Sequence, residues 1–165
     1  MAPVDDVTES VTPELNTSDD TSILLIKLNN KNRLAGSIFS EITETKYQHT
    51  PDIDDIEVFE KLFSGIQNLL KSKKILAMHD ISDGGLITTL LEMCFTKKVG
   101  MRMDLDDSSG VNEFLFSEEI GFAIQIKKNN LDEVTKNLTN ENIYVKNIAE
   151  IIDGEQFSIF KNDSE

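Results

Sequence analysis

Apolar residues recur along the chain with two periods, and these periods predict where its strands and helices lie. The run 23–28 is apolar except for Lys27, which is typical of a strand covered on both faces. Apolar and polar residues alternate over 99–105 and 120–126, and this period of two predicts half-buried strands. Over 55–72 the apolar residues lie three and four positions apart, which predicts a helix with one apolar side.

The complete pattern predicts a series of strands and helices that alternate along the chain. The strands are expected at 23–28, 75–79, 99–105, 120–126, 144–152 and 157–160, and the helices at 35–43, 55–72, 83–96, 111–117 and from Asn130 to about Leu138. Their order is β-α-α-β-α-β-α-β-α-β-β. Interleaved helices and strands favour an α/β (α+β) fold in which helices cover a sheet that is mixed rather than purely parallel.

Short-range signals indicate how several of these elements begin and end. Asp54 is expected to cap the long second helix, and Asn130 with Glu133 resembles a capping box. Gly100, after two lysines, is typical of the stop at a helix C-terminus. The pair Asp153–Gly154 is a strong two-residue hairpin signal, so the last two strands are expected to pair with each other.

Residues 1–22 differ in composition from the rest of the chain. They contain many acidic residues, two prolines, and no Lys or Arg. Such a segment buries too little apolar surface to offset the entropy lost on ordering. We therefore expect an acidic extended or disordered arm at 1–22, with Val11 and Leu15 as its candidates for contact with a neighbour, followed by one domain at 23–165.

Charge and cysteine usage exclude several classes of function. The chain has 165 residues, enough for one domain with a core, and 16 Lys and Arg against 30 Asp and Glu, a net charge of −14. This charge repels nucleic acid and anionic membrane, so neither is an expected partner. No apolar run approaches the roughly 18 residues of a membrane span, and no signal peptide is visible. The single cysteine, Cys94, cannot form an internal disulfide, which favours a reducing, cytoplasmic location.

Cys94 and the histidines are weak candidates for chemistry. Cys94 lies on the apolar side of the helix predicted at 83–96, where a core residue is expected rather than a nucleophile. His49 is a lone loop histidine. Two histidines and one cysteine are too few for a zinc site. The segment 116–119, Phe-Ser-Glu-Glu, can supply a polar contact, but a solvated turn is the favoured expectation.

The stretch 75–86 is the strongest candidate for chemistry, because a strand, a turn and a helix N-terminus follow one another there. Helix N-termini present unpaired N–H groups and partial positive charge, which suit a phosphate. Gly84 and Gly85 allow a ligand or a neighbouring element to approach the backbone closely. Ser82 offers a hydroxyl to a phosphate oxygen, and Asp80 is a hard oxygen ligand of the kind that Mg²⁺ takes.

Two interpretations of this stretch are open from the residues alone. Asp80 and Asp83 would repel a bare phosphate, so the nucleotide interpretation predicts a bridging divalent cation, Mg²⁺. In the other interpretation Ser82 or Asp83 caps the helix, the two glycines permit tight packing, and His79 is a core residue whose hydrogen bonds are satisfied. Spacing does not decide between them.

The same residues resemble a motif of the phosphoribosylformylglycinamidine synthase family. The resemblance covers 79–86 (His-Asp-Ile-Ser-Asp-Gly-Gly-Leu) and 91–95, and it extends to 11–15, 34–37 and 115–121. That family is an ATP-dependent, glutamine-using ligase of purine biosynthesis. The chain resembles the second of its two C-terminal domains of the aminoimidazole ribonucleotide (AIR) synthase type, which implies a three-layer α/β/α fold with a mixed sheet.

The resemblance also implies roles for individual residues. The aspartate matching Asp80 coordinates Mg²⁺, and the serine matching Ser82 contacts an adenine nucleotide, ATP or ADP. Gly84 and Gly85 of the same turn are expected to bind this nucleotide together with Ser82. That site is auxiliary or structural, so no catalytic residue is expected here. The synthase's N-terminal-type and glutaminase domains match no segment of this chain. They are the expected partners, and the isolated chain is expected to be inactive.

Two other classes of function remain open. One is another member of the same superfamily, such as a selenophosphate synthetase, a thiamine-monophosphate kinase or a hydrogenase-maturation protein. These share the turn and its glycines but not the longer match at 91–95 and 115–121. The other is a non-catalytic interaction domain that binds no nucleotide.

Overall fold

Six strands form a single mixed sheet in the computed structural model, which describes residues 6–18, 20–105 and 110–161. The strands are β1 (Thr21–Lys27), β2 (Ile75–Asp80), β3 (Gly100–Leu105), β4 (Gly121–Lys127), β5 (Tyr144–Ile152) and β6 (Phe157–Lys161). Their order across the sheet is β2-β4-β1-β5-β3-β6. The pairs are antiparallel except for β3 with β6, which is parallel, so the predicted mixed sheet is confirmed.

Helices cover both faces of this sheet. They are α1 (Ile38–Ile42), α2 (Ile56–Lys71), α3 (Gly85–Phe95), α4 (Val111–Phe116) and α5 (Leu131–Thr139), in the predicted order, with short 3₁₀ turns at Val7–Glu9 and Lys128–Asn130. One apolar cluster joins α3 and α4 to the sheet, and a second joins α2 and α5 to its opposite face. The predicted three-layer α/β/α arrangement is therefore confirmed.

The central strand β1 explains why its sequence is apolar almost without interruption. All seven of its residues are buried. Ile23 and Leu25 belong to the cluster under α3 and α4, whereas Leu24 and Ile26 belong to the cluster under α2 and α5. Successive side chains of a strand point to opposite faces, so a strand covered on both sides has no polar positions to alternate with.

The predicted hairpin between the last two strands is wrong. Asp153 and Gly154 do form a turn, with Gly154 at φ +94°, but β6 then pairs with β3, and β5 pairs with the other side of β3. The connection crosses the start of β3, where the amide of Met101 donates to the carbonyl of Gln156 at 3.0 Å. A Cβ on Gly100 would lie 2.9 Å from that same carbonyl oxygen, so Gly100 makes room for the crossing.

Gly100 is therefore the first residue of β3 and does not end α3. The stop is made by Lys98, whose φ is +53°. One residue later the amide of Val99 donates to the carbonyl of Cys94 at 3.2 Å, in the manner of a left-handed helix C-cap.

Two predicted helix caps are also wrong. Asp55, not Asp54, caps α2, and its carboxylate accepts from the amides of Glu57 and Val58 at 2.9 and 3.2 Å. Asp54 instead forms an ion pair with Arg33 at 3.1 Å. Two adjacent aspartates are equivalent as cap signals, so the tertiary ion pair decides which of them is free to cap.

The capping box predicted at Asn130 does not form. Asn130 ends a 3₁₀ turn in helical conformation, and its side chain makes no cap hydrogen bond. Glu133, its expected partner, forms an ion pair with Lys74, which lies between α2 and β2. The 3₁₀ turn leads directly into α5, which removes the extended N-cap geometry that a capping box requires.

Part of the acidic N-terminal segment packs along the edge strand β2. The carbonyl of Thr12 accepts from the amide of Met78 at 3.0 Å, so this segment covers the outer side of β2. Val11 packs against the cluster under α2 and α5, while Leu15 is fully buried in the cluster under α3 and α4. The segment therefore wraps the sheet edge and contributes to both cores; residues 1–5 and 19 lie outside the described residues.

A buried glutamine fixes the end of this segment. The Gln125 side chain, fully buried on β4, accepts from the amide of Asn16 at 2.7 Å and donates to its carbonyl at 2.7 Å. It also donates to the hydroxyl of Thr21 at 2.9 Å. β1 accordingly begins at Thr21, two residues before the predicted start, and the boundary expected at 22/23 falls inside this strand.

Within the part of the chain that the structure describes, no helix is long and apolar enough to cross a membrane.

Lys27, the polar exception in β1, is buried and 2% exposed. Its ammonium donates to the carbonyl of Lys31 and to the amide oxygen of Asn32, both at 2.6 Å, and it lies 5.3 Å from the centre of the Tyr144 ring. These contacts hold the loop that follows β1. Burial lowers the pKa of Lys27 to about 8, a shift that the nearby charge of Glu119 opposes.

Stability is expected to rise with pH because of Lys27. Below about pH 8, Lys27 is protonated in both the folded and the unfolded state. Between about pH 8 and its ordinary pKa of 10.5, Lys27 is protonated in the unfolded state but has largely lost its proton in the folded state. From about pH 7.5 to about pH 9 we expect a gain of about 1 kcal/mol in unfolding free energy. Urea denaturation across this range measures it, and Lys27→Met should abolish the gain.

The pH range of this measurement ends at about pH 9, because above that pH the titration of Cys94 lowers the unfolding free energy. Burial raises the pKa of that thiol from 9.0 to about 11, so the folded state retains a proton that the unfolded state loses. An equal rise in Lys27→Met would show that another group is responsible.

Candidate functional site

Asp80, the proposed metal ligand, is the last residue of β2 and has a fixed backbone. It pairs with Phe122 of β4, and the hydroxyl of Thr89 donates to its carbonyl at 3.2 Å. The next amide, that of Ile81, donates to the carbonyl of Gly121 at 3.0 Å. The Asp80 side chain is 67% exposed, so the strand end presents a well-positioned carboxylate to solvent.

His79 links two carboxylates beside this strand end. Its side chain is 17% exposed, with Nε2 3.0 Å from a carboxylate oxygen of Glu92 on α3. Nδ1 lies 2.9 Å from the carbonyl oxygen of Asp80 and 3.3 Å from its carboxylate. The interpretation of His79 as a satisfied core residue is supported, because the ring is largely buried and both of its nitrogens have polar partners that orient it.

Ser82, Gly84 and Gly85 form the tight turn between β2 and α3. The amide of Gly85 donates to the carbonyl of Ser82 at 3.0 Å, and the two glycines have φ values of +88° and +71°. The N-cap of α3 is Gly84, with no side-chain cap hydrogen bond. The alternative in which Ser82 or Asp83 caps the helix is therefore wrong, and both side chains are exposed.

Gly85 is where another element approaches the turn. An added Cβ would lie 2.6 Å from the carbonyl carbon of Phe116 and 2.8 Å from the carbonyl oxygen of Ser117, both backbone atoms at the end of α4. The alternative in which this glycine permits tight packing is thus supported. Gly84 differs, because its added Cβ would meet only the side chain of Thr88.

Glu118 belongs to the segment 116–119, which the sequence offers for a polar contact, and it makes two such contacts at this site. Its Oε1 atom accepts from the amide of Gly84 at 2.9 Å and from the amide of Ile38 at 2.9 Å. Ile38 is the first residue of α1 and Gly84 is the N-cap of α3, so one carboxylate serves two helix N-termini. The Gly84 amide, which the sequence offers to a phosphate, already has an acceptor within the chain.

Glu119 is buried beside it, so the expectation of a solvated turn at 116–119 is wrong. Its two oxygens accept from Nε and Nη2 of Arg33, each at 2.7 Å, and Oε1 also accepts from the Arg33 amide at 3.0 Å. The side chains are 3% and 12% exposed. The hydrogen bonds with Glu119 raise the pKa of Arg33 above its ordinary range. Consecutive glutamates after an apolar run are the only sequence signal of this arrangement.

The donors at the turn fit Mg²⁺ in an incomplete site. Mg²⁺ is commonly bound through one or two protein carboxylates, with water and phosphate oxygens as the other ligands. Asp80 and Asp83 offer two exposed carboxylates of this kind. No group of three or more potential ligands from His, Cys, Asp and Glu occurs among the described residues, so the turn supplies only part of a coordination sphere.

Cys94 and one large cavity lie outside this arrangement. The Cys94 thiol is buried and its pKa is raised to about 11 by that burial, as expected for a core residue. A cavity of about 720 Å³ lies between the N-terminal segment and the β5–β6 connection. It is lined by Asn16, Lys98, Lys128 and Gly154 among others, and by none of the proposed site residues.

Comparison with known proteins identifies relatives of the whole domain. Residues 20–162 match the family described as "AIR synthase related protein, C-terminal domain". The chain is 39% identical over 152 residues to the probable phosphoribosylformylglycinamidine synthase, chloroplastic/mitochondrial, of Arabidopsis thaliana. That match covers 90% of this chain but only 11% of the Arabidopsis protein.

Solved structures show that the fold is shared more widely. PurL of Thermotoga maritima, in a complex with ATP, superposes with a TM-score of 0.75 at 12% identity, covering 96% of this chain and 26% of that chain. Thiamine-monophosphate kinase of Stenotrophomonas maltophilia gives a TM-score of 0.58 at 12% identity, covering 92% and 53%. At these identities the likeness is one of fold.

Proposed function

Because the chain belongs to the family of AIR synthase related C-terminal domains, we propose that it acts within a phosphoribosylformylglycinamidine synthase. The observation that carries this proposal is the 39% identity with the Arabidopsis synthase over 152 residues. The thiamine-monophosphate kinase alternative shares the fold, but the 39% sequence identity is with a synthase. The proposed reaction is the ATP-dependent transfer of glutamine nitrogen to formylglycinamide ribonucleotide in purine biosynthesis.

The proposal assigns the chemistry to an assembly larger than this chain. The chain spans 11% of the Arabidopsis relative, and the AIRS N-terminal-type and glutaminase domains are the proposed partners. Nucleic acid and membrane are not proposed partners. We propose a cytoplasmic location, although the name of the plant relative places that protein in chloroplasts or mitochondria.

The isolated chain is expected to have no synthase activity. Its candidate turn is open to solvent, and Asp80 is 67% exposed, whereas a reactive phosphorylated intermediate requires a closed site that excludes water. The measurement is turnover of formylglycinamide ribonucleotide with ATP and glutamine, or with ammonia, by the purified chain. Product formation would contradict this part of the proposal.

At the turn we propose an auxiliary Mg²⁺–nucleotide site. Asp80 is the proposed metal ligand, Ser82 contacts the nucleotide, and Gly84 and Gly85 shape the turn on which both are held. The exposure of the Asp80 carboxylate and of Ser82 supports these roles, because both can be reached from solvent. The ATP and ADP complexes of PurL support an adenine nucleotide as the ligand.

Magnesium with ADP or ATP is expected to raise the melting temperature of the chain. A ligand at about 100 times its dissociation constant stabilises the folded state by about 2.7 kcal/mol, or roughly 5–10 °C for a domain of this size. Asp80→Ala should remove this shift. Asp132 is an exposed residue of α5, which covers the other face of the sheet. Asp132→Ala makes the same change of charge there and should keep the melting shift.

Two results would contradict the assignment in different ways. A shift that persists in Asp80→Ala would exclude Asp80 as the metal ligand. No shift in the wild type would favour the second candidate function, a non-catalytic interaction domain. The specific observations that favour that candidate are the engagement of the Gly84 amide by Glu118 and the backbone packed against Gly85.

A further inference from the structure

Glu118 neutralises the helix terminus at which a phosphate would otherwise bind. Its Oε1 atom accepts from the Gly84 amide at 2.9 Å and from the Ile38 amide at 2.9 Å. A helix N-terminus carries about half of a positive elementary charge, and an anion there is stabilised by the unpaired N–H groups. In this chain the stabilised anion is a side chain of the protein.

The turn therefore has negative charge where a free anion would need positive charge. Asp80 and Asp83 present their carboxylates to solvent, and the carboxylate of Glu118 accepts from the Gly84 amide next to them. The nearby arginine, Arg33, is already held by both oxygens of Glu119. A triphosphate approaching without a cation meets repulsion from these carboxylates, whereas one that carries Mg²⁺ presents the metal to Asp80.

We propose that Glu118 is a specificity-determining residue that restricts the turn to metal-complexed nucleotides and excludes free nucleotides. It does so through its negative charge, which lies at the Gly84 amide and cancels the field of the α3 N-terminus. This inference rests on the proposed function, since it concerns how the same turn selects its ligand. It adds a role to a residue that touches neither the metal nor the nucleotide.

Glu118→Gln tests the charge while keeping the structure. The glutamine carbonyl oxygen can accept from the same two amides, so both helix N-termini stay joined and only the negative charge is lost. The wild type is expected to show a melting shift with ATP and Mg²⁺ but none with ATP and EDTA. The variant should show a shift with ATP and EDTA, with an affinity for free ATP at least about tenfold higher than that of the wild type.

Two further variants separate this effect from general changes of charge. Glu57 is an exposed residue of α2, which covers the other face of the sheet. Glu57→Gln makes the same change of charge there and should bind ATP as the wild type does, with and without Mg²⁺. Asp83→Asn removes an exposed charge of the turn but leaves the negative charge of Glu118 at the α3 N-terminus, so free ATP should still be excluded. Titration calorimetry below the melting temperature of each variant gives the affinities.

The outcomes distinguish the inference from the function on which it rests. No response of the wild type to ATP with Mg²⁺ would overturn the proposed function, and the inference with it. A wild type that binds ATP equally well in EDTA would overturn the inference alone, without the need for any variant. The inference would also fail if Asp83→Asn or Glu57→Gln admitted free ATP while Glu118→Gln did not.

Discussion

Gly85→Ala is expected to destabilise the domain by roughly 3–5 kcal/mol and to lower its melting temperature by about 10 °C. The added Cβ would lie 2.6 Å from the carbonyl carbon of Phe116 and 2.8 Å from its Cα. These are backbone atoms, which cannot turn aside as a side chain can. Gly85 also has φ +71°, a conformation that alanine adopts only with strain. Relief requires the end of α4 to move away from α3, and this would carry Glu118 away from the Gly84 amide.

Gly154→Ala is the matched control for this substitution. Gly154 has φ +94°, but a Cβ there would meet nothing within 4 Å. It should therefore cost only the backbone strain, about 1–2 kcal/mol. Urea denaturation of both variants separates the two terms. Equal losses would show that packing against α4 contributes nothing at Gly85.

Glu119→Ala is expected to cost about 3 kcal/mol, because it removes the buried partner of Arg33 and leaves the more exposed Asp54 as its remaining carboxylate. The loss removes the carboxylate that receives two charged hydrogen bonds from Arg33 at 2.7 Å each. Lys27 is affected as well, since the charge of Glu119 opposes the lowering of its pKa by burial. Denaturation in urea gives the change in unfolding free energy. The rise of stability with pH due to Lys27 should begin at a lower pH in this variant.

The exposed pair of Lys61 and Glu141 provides the comparison. Its closest N–O distance is 3.3 Å, and the two side chains are 45% and 53% exposed. Glu141→Ala should cost less than about 1 kcal/mol, since water and salt screen this pair. Similar losses in the two variants would show that burial does not determine the effect of Glu119.

The order of the strands and helices could be predicted because burial of one side of an element produces a periodic pattern of apolar residues in its own sequence. The alternation in β4 and the three- and four-residue spacing in α2 both reflect which side of an element meets the core. The pairing of strands is less evident from local sequence patterns. Asp153–Gly154 favours a turn of the kind that joins hairpins, and nothing near it indicates that β3 lies between β5 and β6. Gly100 is the residue that allows this crossing, and it lies more than fifty positions before the turn.

The candidate site was predicted in position but not in its internal contacts. Asp80 at a strand end and Gly84 at a helix N-terminus follow from local sequence. The contact of Glu118 with Gly84 joins residues 34 positions apart, and that of Arg33 with Glu119 joins residues 86 positions apart. The local sequence around a glutamate that accepts from two helix N-termini does not differ from that around a glutamate that faces water. Only the fold of α1, α3 and α4 around it distinguishes these cases.

The bonded segment along β2 also limits how copies of this domain can associate through their sheets. A strand with unpaired N–H and C=O groups can recruit a strand from another molecule, and a sheet with two open edges can do so repeatedly in both directions. Here Thr12 covers one edge at Met78, which leaves β6, paired only with β3 among the described strands, as the outer strand at the other. Growth from a single edge ends when two copies meet. The segment bonded to β2 therefore blocks repeated sheet growth at that edge.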